Sequence, residues 1–522
     1  METKAKELLK RIERAKEAKF KRENELQEAY RYILPLRDTI RNKDTLIERG
    51  VKFDSTACNA LEKYATKLQN LLTPPWEEWL KFQPGADIPE DKAPEVQEKL
   101  DEASKITFSH IHHSNFYTAE HEAFLDLGIS TGAVIVERNT RTNEPSALNC
   151  RSIPLSEIIP ESSNRGSVDT VFREFEVKVD EITNIWPNAK VPQNLIDKST
   201  QQGDGLKVKV FEGVVFNEKT SDYDMYVIEE SECVIMYEEK MDTSPIIVFR
   251  ESVRPGDVIG FGRALRILED VKSLNKMAEN QLRADSMRSM PIFTGVDDGF
   301  NPYTFSLQPG TVNVVQSNDN GNPSIRALDV GGNYVYEQGR MDQLRAVVNE
   351  AFLANPFGAI DETPVRSATE IAAREADMFQ STAAAFGRLQ TEFLEKLMRR
   401  VVDILNKEGV LPPLKVDGRE VALKFTSPFA KMQGSIKVKE TMQWLSYVMP
   451  LGEEVIATSI NLDKVPSNLA KNMGIDKELY KDSIEVDQSK EALAEMATQA
   501  AQAGADIPLG GIAPQQQPLP LV

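Results

Sequence analysis

Long apolar runs are missing from this chain of 522 residues. Its most apolar stretch, Gly128 to Val136, is about half of what a bilayer span needs and is interrupted by Ser130 and Thr131, so no membrane association is expected. The N-terminus, METKAKELLKRIERAKEAKFKREN, lacks the apolar core of a secretory signal and reads as a solvated, charged helix of a protein made in the cytoplasm. Cysteine is scarce: Cys58, Cys150 and Cys233 lie far apart and form no CxxC pair. That spacing excludes a disulfide framework or a cysteine zinc site and leaves buried free thiols as the expectation.

Catalytic signatures are missing too. No GxxxxGKS or GxxxxGKT occurs, so a nucleotide-driven motor is not expected. The glycine cluster Gly256 to Arg263 lacks the lysine and hydroxyl that would meet phosphate and magnesium, and it reads as a tight turn into a helix. All four histidines fall at His110, His112, His113 and His121, with Glu120 and Glu122 nearby. Adjacent His112 and His113 point apart on a helix and no HExxH frame exists, so a surface patch at a domain junction is expected in place of a metal centre. Without GxSxG or an acidic metal motif, no catalytic, cofactor-binding or metal-ligating residue is assigned, and a non-enzymatic role is expected.

Basic residues are outnumbered, 62 Lys and Arg against 81 Asp and Glu, for a net charge of -19. Domains that grip phosphate are usually basic. An acidic wall handles a duplex differently, holding it off by the summed field and letting it slide.

What is present is ordinary globular material, 41% hydrophobic and 27% charged, long enough for three or four compact units. Residues 1–50 read as helix, with Leu8, Leu9, Ile12, Tyr30, Ile33 and Leu34 at helical spacing until Pro35. A second helix spans Ser55 to Leu72, closed by Pro74-Pro75. An acidic connector at 84–97 precedes a helix ending near Gly128 and the β-branched run Ala133 to Val136. Between about 131 and 250 short alternating runs predict a β-rich module. The helical period then returns: Ile267, Val271, Leu274, Ala278 and Leu282 form one stripe, with Glu269, Lys272, Lys276 and Arg283 opposite.

After Pro291 comes a Gly/Pro/Asn-rich excursion with strand-like runs Thr311–Val315 and Ser324–Leu328, and a helix over Tyr334–Leu353 returns from it. Helix is expected again from Ser367 to Lys407, with Gly387 as a possible kink, and from Pro428 to about 500, before a mobile Ala/Gln/Pro/Gly tail. Two long amphipathic helices around a small insert call for neighbouring copies to cover their sides.

Four stretches carry a family resemblance. They are Tyr32–Pro35 with Thr56–Pro75 and Trp79; Ser114–Phe116 to Gly132–Val136; Pro245–Arg250 with Gly260–Arg263 and Leu268–Asn275; and Arg366–Glu375. In this order they resemble the portal, or head-to-tail connector, proteins of short-tailed bacteriophages, the podovirus portal family. Ser367 stands where threonine is common, and the final hundred residues carry no recognisable match.

The resemblance implies an α+β, mainly helical portal fold. A wing (1–262, helical start plus β-rich module) would be followed by stem helix 1 (263–290), an α/β clip (291–333), stem helix 2 (334–353) and a tunnel loop (354–366). A long kinked helix with the return to the wing (367–426), a helical crown (427–500) and a flexible tail (501–522) would complete it.

It also implies a homo-dodecamer at one capsid vertex of the virion, at the head-tail junction, made in the host cytoplasm. Double-stranded DNA would pass through its channel during packaging and ejection. Its partners would be the terminase large subunit, a tail adaptor protein, and the major capsid and scaffolding proteins whose assembly it nucleates. Twelve copies at -19 each amount to a charge on the order of minus two hundred, in keeping with a repulsive lining.

Asp361 and Glu362 would project from the tunnel loop into the channel; as residues alone they read as solvated loop charge. Arg366 either offsets them or belongs to the N-terminal cap region of the next helix. Lys272, Lys276 and Arg283 either meet DNA phosphates from the stem or pair with acids of the neighbouring protomer. Another structural oligomer, a tail adaptor or scaffold without a duplex-wide hole, is the alternative, and an undetected enzyme, for instance a nuclease, the third reading.

Overall fold

The computed structural model describes residues 2–35, 52–89, 93–141, 143–163, 166–202, 205–289, 293–295, 325–327, 334–354, 385–412, 414, 416–419, 421–451, 461 and 464–473. Helix and strand are mixed, as the α+β expectation holds. The chain divides into two compact units, Met1–Trp76 with Lys81–Lys424, and Glu77–Leu80 with Phe425–Val522.

In the first unit a five-stranded antiparallel meander runs in the order β4 (Ile158–Ser162), β5 (Val168–Lys178), β6 (Lys207–Asn217), β7 (Asp222–Glu229) and β8 (Val234–Met241). A three-stranded sheet sets β2 (Thr131–Arg138) between β3 (Leu148–Ser152) and β9 (Ile246–Arg250). Side-chain alternation separates the two faces of the large sheet. Val171, Val210, Val214, Met225 and Val227 join Ala133, Ile135, Ile246 and Val248 of the smaller sheet in one core. Ile182 and Trp186 close that core from the helix α6 (Val179–Ile185) and its end, and Leu195 from α7 (Gln193–Gln202).

Phe172, Phe211, Tyr226 and Ile228 point the other way, and helix α1 (Glu2–Phe20) covers them. Here the solvated-helix reading of the N-terminus is corrected. Ala5, Leu8, Ile12 and Ala15 recur every three or four residues and are buried against the sheet. The stripe is narrow and half alanine, so the surrounding charges mask it; burial of Leu8 and Ile12 is worth about 1.5–3 kcal/mol each. Lys19 ends the stripe with its ammonium donating to the carbonyls of Leu155, Ser156 and Ile158, and burial pulls its pKa down to about 8. The expected helix over 1–50 is also broken at Lys21–Arg22, with α2 (Glu23–Ile33) following; residues 36–51 lie outside the described residues.

Helices α3 (Thr56–Leu72) and α5 (Phe116–Ile129) pack together, and α4 (Ala93–His112) precedes α5. The expected connector at 84–97 is shorter than read, because β1 (Leu80–Pro84) and the start of α4 occupy its ends. Phe124, Phe249 and Phe393 form the aromatic centre, with Phe249 and Phe393 centroids 4.3 Å apart. Glu120, buried at the α3–α5 contact, accepts a 2.6 Å bond from Thr73 Oγ1 and has no hydrogen-bond partner on its other oxygen. Burial pushes this carboxyl well above its usual range.

The glycine cluster does more than turn. Gly256 alone has positive φ (87°). Gly260 and Gly262 instead let backbone lie on backbone: a Cβ would meet Ser130 O at 2.2 Å and Ile129 O at 2.4 Å, respectively. Thr131 Oγ1 accepts from Gly260 N–H, and Ser130 Oγ donates to the Gly260 carbonyl.

Short helix α8 (Arg263–Arg266) leads into α9 (Leu268–Ser289), then β10 (Phe293–Gly295), β11 (Ile325–Ala327) and α10 (Tyr334–Ala351). Of the stripe read from sequence, Ile267, Val271, Leu274 and Ala278 are buried, whereas Leu282 is 56% exposed. Strands β10 and β11 pair antiparallel, the second inside the expected run 324–328; the expected run 311–315 lies outside the described residues.

Residues 385–389 are helical and continue through a π-helical turn, Gln390–Leu394, into α11 (Glu395–Lys407). The irregularity sits at that turn and not at Gly387. Strand β12 (Val421–Phe425) pairs with β1. In the second unit α12 (Pro428–Val448) packs on α13 (Lys464–Met473) and leaves Met442, Trp444, Tyr447 and Met449 exposed. All three cysteines are free, but only Cys150 is buried; Cys58 and Cys233 are half-buried.

Two outcomes are expected. Gly260→Ala should cost roughly 3 kcal/mol because the opposing backbone does not yield, and Gly256→Ala, which meets open space, about 1–2 kcal/mol from φ strain alone; urea unfolding checks both. Burial makes Glu120 hold its proton more tightly in the native state than in the unfolded chain, whose carboxyl titrates near 4.5. Its contribution is therefore most favourable at acid pH and declines as pH rises above that value. Glu120→Gln should raise the melting temperature at pH 8 and give little gain at pH 4.

Candidate functional site: the root of the two long helices

Helices α9 and α10 pack against each other and run in opposite directions, so the start of one and the end of the other meet at the body of the first unit. Charged side chains gather at that root. Arg263, opening α8, donates its Nε to Glu251 Oε1 at 2.8 Å and one terminal nitrogen to the Ala351 carbonyl at 2.9 Å. One guanidinium thus joins the loop after β9 to the last turn of α10, where a cation also suits the helix dipole.

The Arg263 guanidinium lies 5.2 Å from the Tyr64 ring centroid. Burial alone would lower the Arg263 pKa, but the Glu251 carboxylate and Tyr64 outweigh it and hold the guanidinium above its ordinary value. Burial, with the charge of Glu251 beside it, pushes the Tyr64 phenol well up.

The end of α10 is shaped as tightly as it is held. Ala354 N–H donates to Asn349 O, and Leu353 N–H to Glu350 O, the paired bonds of a Schellman cap. Such a cap needs a left-handed residue, and Leu353 fills the place with φ 55° where glycine is usual. Phe352 is buried beside Tyr64, and Lys67 donates to the Leu353 carbonyl.

A second clamp grips the segment before α3. Asn275 on α9 accepts from the backbone N–H groups of Phe53 and Asp54, while Arg345 on α10 makes two bonds to Asp54 Oδ2, at 2.9 and 3.1 Å. Burial works against ionisation of Asp54, yet hydrogen bonds from Thr56 and Arg345 hold it below the usual carboxylate range.

Behind the root, Arg250 is 1% exposed at the end of an all-buried strand. It forms a bidentate pair with Glu392 at 2.8 and 3.1 Å and donates to the carbonyls of Val258 and Gly166. Glu392 belongs to the π-helical turn, whose extra residue per turn aims its carboxylate at the strand end. Each nitrogen of this buried guanidinium donates to a carboxylate or carbonyl oxygen, the condition under which a buried ion is tolerated.

Of the residues singled out from sequence, Lys272 bonds Glu28 and Glu269, and Lys276 and Arg283 both bond Glu279. In the protomer these cations are thus met by acids of their own chain. Asp361, Glu362 and Arg366 lie outside the described residues. His110 Nδ1 meets the Ala147 N–H and His113 Nδ1 the Ser109 carbonyl, which are structural roles. Sequence reading assigned no role to Glu251, Glu392, Asp54 or Arg345. The one available signal was Arg250, a charge ending the apolar run Ile246–Phe249.

Among the described residues this arrangement fixes a helical pair to a body. The family of bacteriophage head to tail connecting proteins matches residues 5–480. The chain belongs to this family. A probable portal protein of Bordetella phage BPP-1 is 22% identical over 446 residues, 82% of this chain and 79% of that protein. The match to the connector family continues to residue 480, which corrects the reading that the last hundred residues carry no resemblance. The connector family is structural, and its place is the head-tail junction of the virion.

Arg250→Met leaves Glu392 buried without its cation and should destabilise the connector by about 3–5 kcal/mol, while Arg250→Met with Glu392→Met should regain most of that loss. A double-mutant cycle by urea unfolding measures it.

Proposed function

We propose that the chain is the protomer of a portal ring at one capsid vertex, through which double-stranded DNA enters during packaging and leaves at ejection. The observation that carries this reading is the connector family's match over residues 5–480, which takes in both long helices and their root. The packing supports it as well: α9 and α10 expose Leu282, Met287 and Val347, apolar surface that adjacent copies standing about an axis would cover.

In this proposal residues 1–262 are the wing, 263–290 and 334–353 the stem, 291–333 the clip facing terminase and later the tail adaptor, 354–366 the tunnel loop, 367–426 the long helix with its return to the wing, 427–500 the crown and 501–522 a flexible tail. Asp361 and Glu362 line the channel and Arg366 offsets them. The stem cations Lys272, Lys276 and Arg283 stay partnered by acids and so leave the passing duplex ungripped. A net charge of -19 per copy makes the lining repulsive to phosphate. The ring is a dodecamer without catalytic activity, and it nucleates the shell built by the major capsid and scaffolding proteins.

Negative-stain images of the purified full chain test this directly. Rings with an open axial hole wide enough for a duplex are expected; compact monomers under assembly-permitting salt and concentration, or solid discs, would defeat the proposal.

A further inference from the structure

The loop between β9 and α8 carries an arrangement that the clamp at the root does not use. Arg254-Pro255-Gly256-Asp257 forms a type II turn, with proline at its second position, Gly256 at φ 87° in its third and Asp257 N–H donating to Arg254 O at 3.0 Å. Ser252 and Phe261 close the loop by two bonds, Phe261 N–H to Ser252 O and Ser252 Oγ to Phe261 O.

Three guanidiniums surround the Phe261 ring, Arg254 at 3.7 Å from its centroid, Arg22 at 5.2 Å and Arg266 at 5.9 Å. Arg22 is neutralised by Asp257 and Glu25. Arg254 and Arg266 are exposed, and among the described residues neither meets a carboxylate; Arg266 reaches only Ser252 Oγ and the ring. Two unneutralised guanidiniums thus share one ring on a chain of net charge -19.

We propose that Arg254 and Arg266, held on Phe261, form a docking site for carboxylate side chains of an adjacent copy of this chain. The site is incomplete in one protomer and is filled across the interface in the assembled ring. This inference rests on the ring reading above.

Guanidinium forks match carboxylates bidentately, and stacking on an aromatic ring removes the rotamer freedom that otherwise weakens exposed pairs. A neighbouring copy carries an excess of acids, 81 against 62 basic residues over its whole sequence. A nucleic-acid backbone fits less well. Glu25 and Asp257 are already paired with Arg22, so the ring carries only two unneutralised cations, enough for a single carboxylate group and few for a continuous polyanion.

The test compares the full chain with Arg254→Glu/Arg266→Glu and with the milder Arg254→Ala/Arg266→Ala, by native mass spectrometry across a protomer concentration series. Both variants should keep the protomer's melting temperature. The glutamate pair should raise the concentration for half-assembly by about tenfold or more, and the alanine pair should shift it less in the same direction. Wild-type assembly should weaken with added sodium chloride more steeply than that of the alanine pair. Unchanged assembly in both variants overturns the proposal. So does unchanged assembly with lost binding of a short DNA duplex, which would make the platform a phosphate contact. If the unaltered chain forms no ring at all, the ring reading fails first and the site loses its partner with it.

Discussion

The junction between the body and the long helices depends on buried guanidiniums whose nitrogens meet carboxylate and carbonyl oxygens. Arg250 and Arg263 lie where the body, the two long helices and the helix after them converge, and each is surrounded by carboxylate and carbonyl oxygens. A buried ion pair adds little net stability compared with a well-packed apolar pair. What it adds is direction: a planar fork that needs particular acceptors at particular places penalises every arrangement in which the helices tilt or slide. A structural connector has use for that property, and leucines packed against leucines supply it less well.

Close backbone approach reinforces the same junction. Gly260 and Gly262 bring the loop after β9 onto the end of α5 with no side chain between, so α8 starts from a rigid floor. At the far side of the root Leu353 takes a left-handed conformation to finish α10, tied there by Lys67 and by the bonds of its cap. The strain of a non-glycine residue in that region, about 1–2 kcal/mol, persists because its surroundings determine it. The segment that follows, the proposed tunnel loop, thus leaves from a fixed point.

Much of this was legible in the sequence. The stripe Ile267, Val271, Leu274 and Ala278, the β-branched run Ala133–Val136 and the proline stops at Pro35 and Pro74 all follow from periodicity and backbone sterics. The N-terminal helix was misread because four small or medium apolar residues among dense charge look solvated until a sheet face is there to receive them. The clamp was not legible. Asp54 with Arg345 and Arg250 with Glu392 join residues 291 and 142 positions apart, and no local pattern encodes such pairs. Nor did anything near Glu392 announce the π-helical turn that aims it. Gly260 and Gly262 were read as turn residues because glycine in a sequence does not distinguish positive φ from close approach; both have ordinary dihedrals, and only neighbouring atoms reveal the reason.

Amide hydrogen exchange on Arg263→Met decides whether charged clamps, and not apolar burial alone, hold the long helices to the body. Protection should fall locally, at amides of about 264–275 and 345–354, while the β5–β6–β7 sheet exchanges as before. Unchanged protection at the helix ends, or an equal loss throughout the molecule, would contradict that role of the clamps.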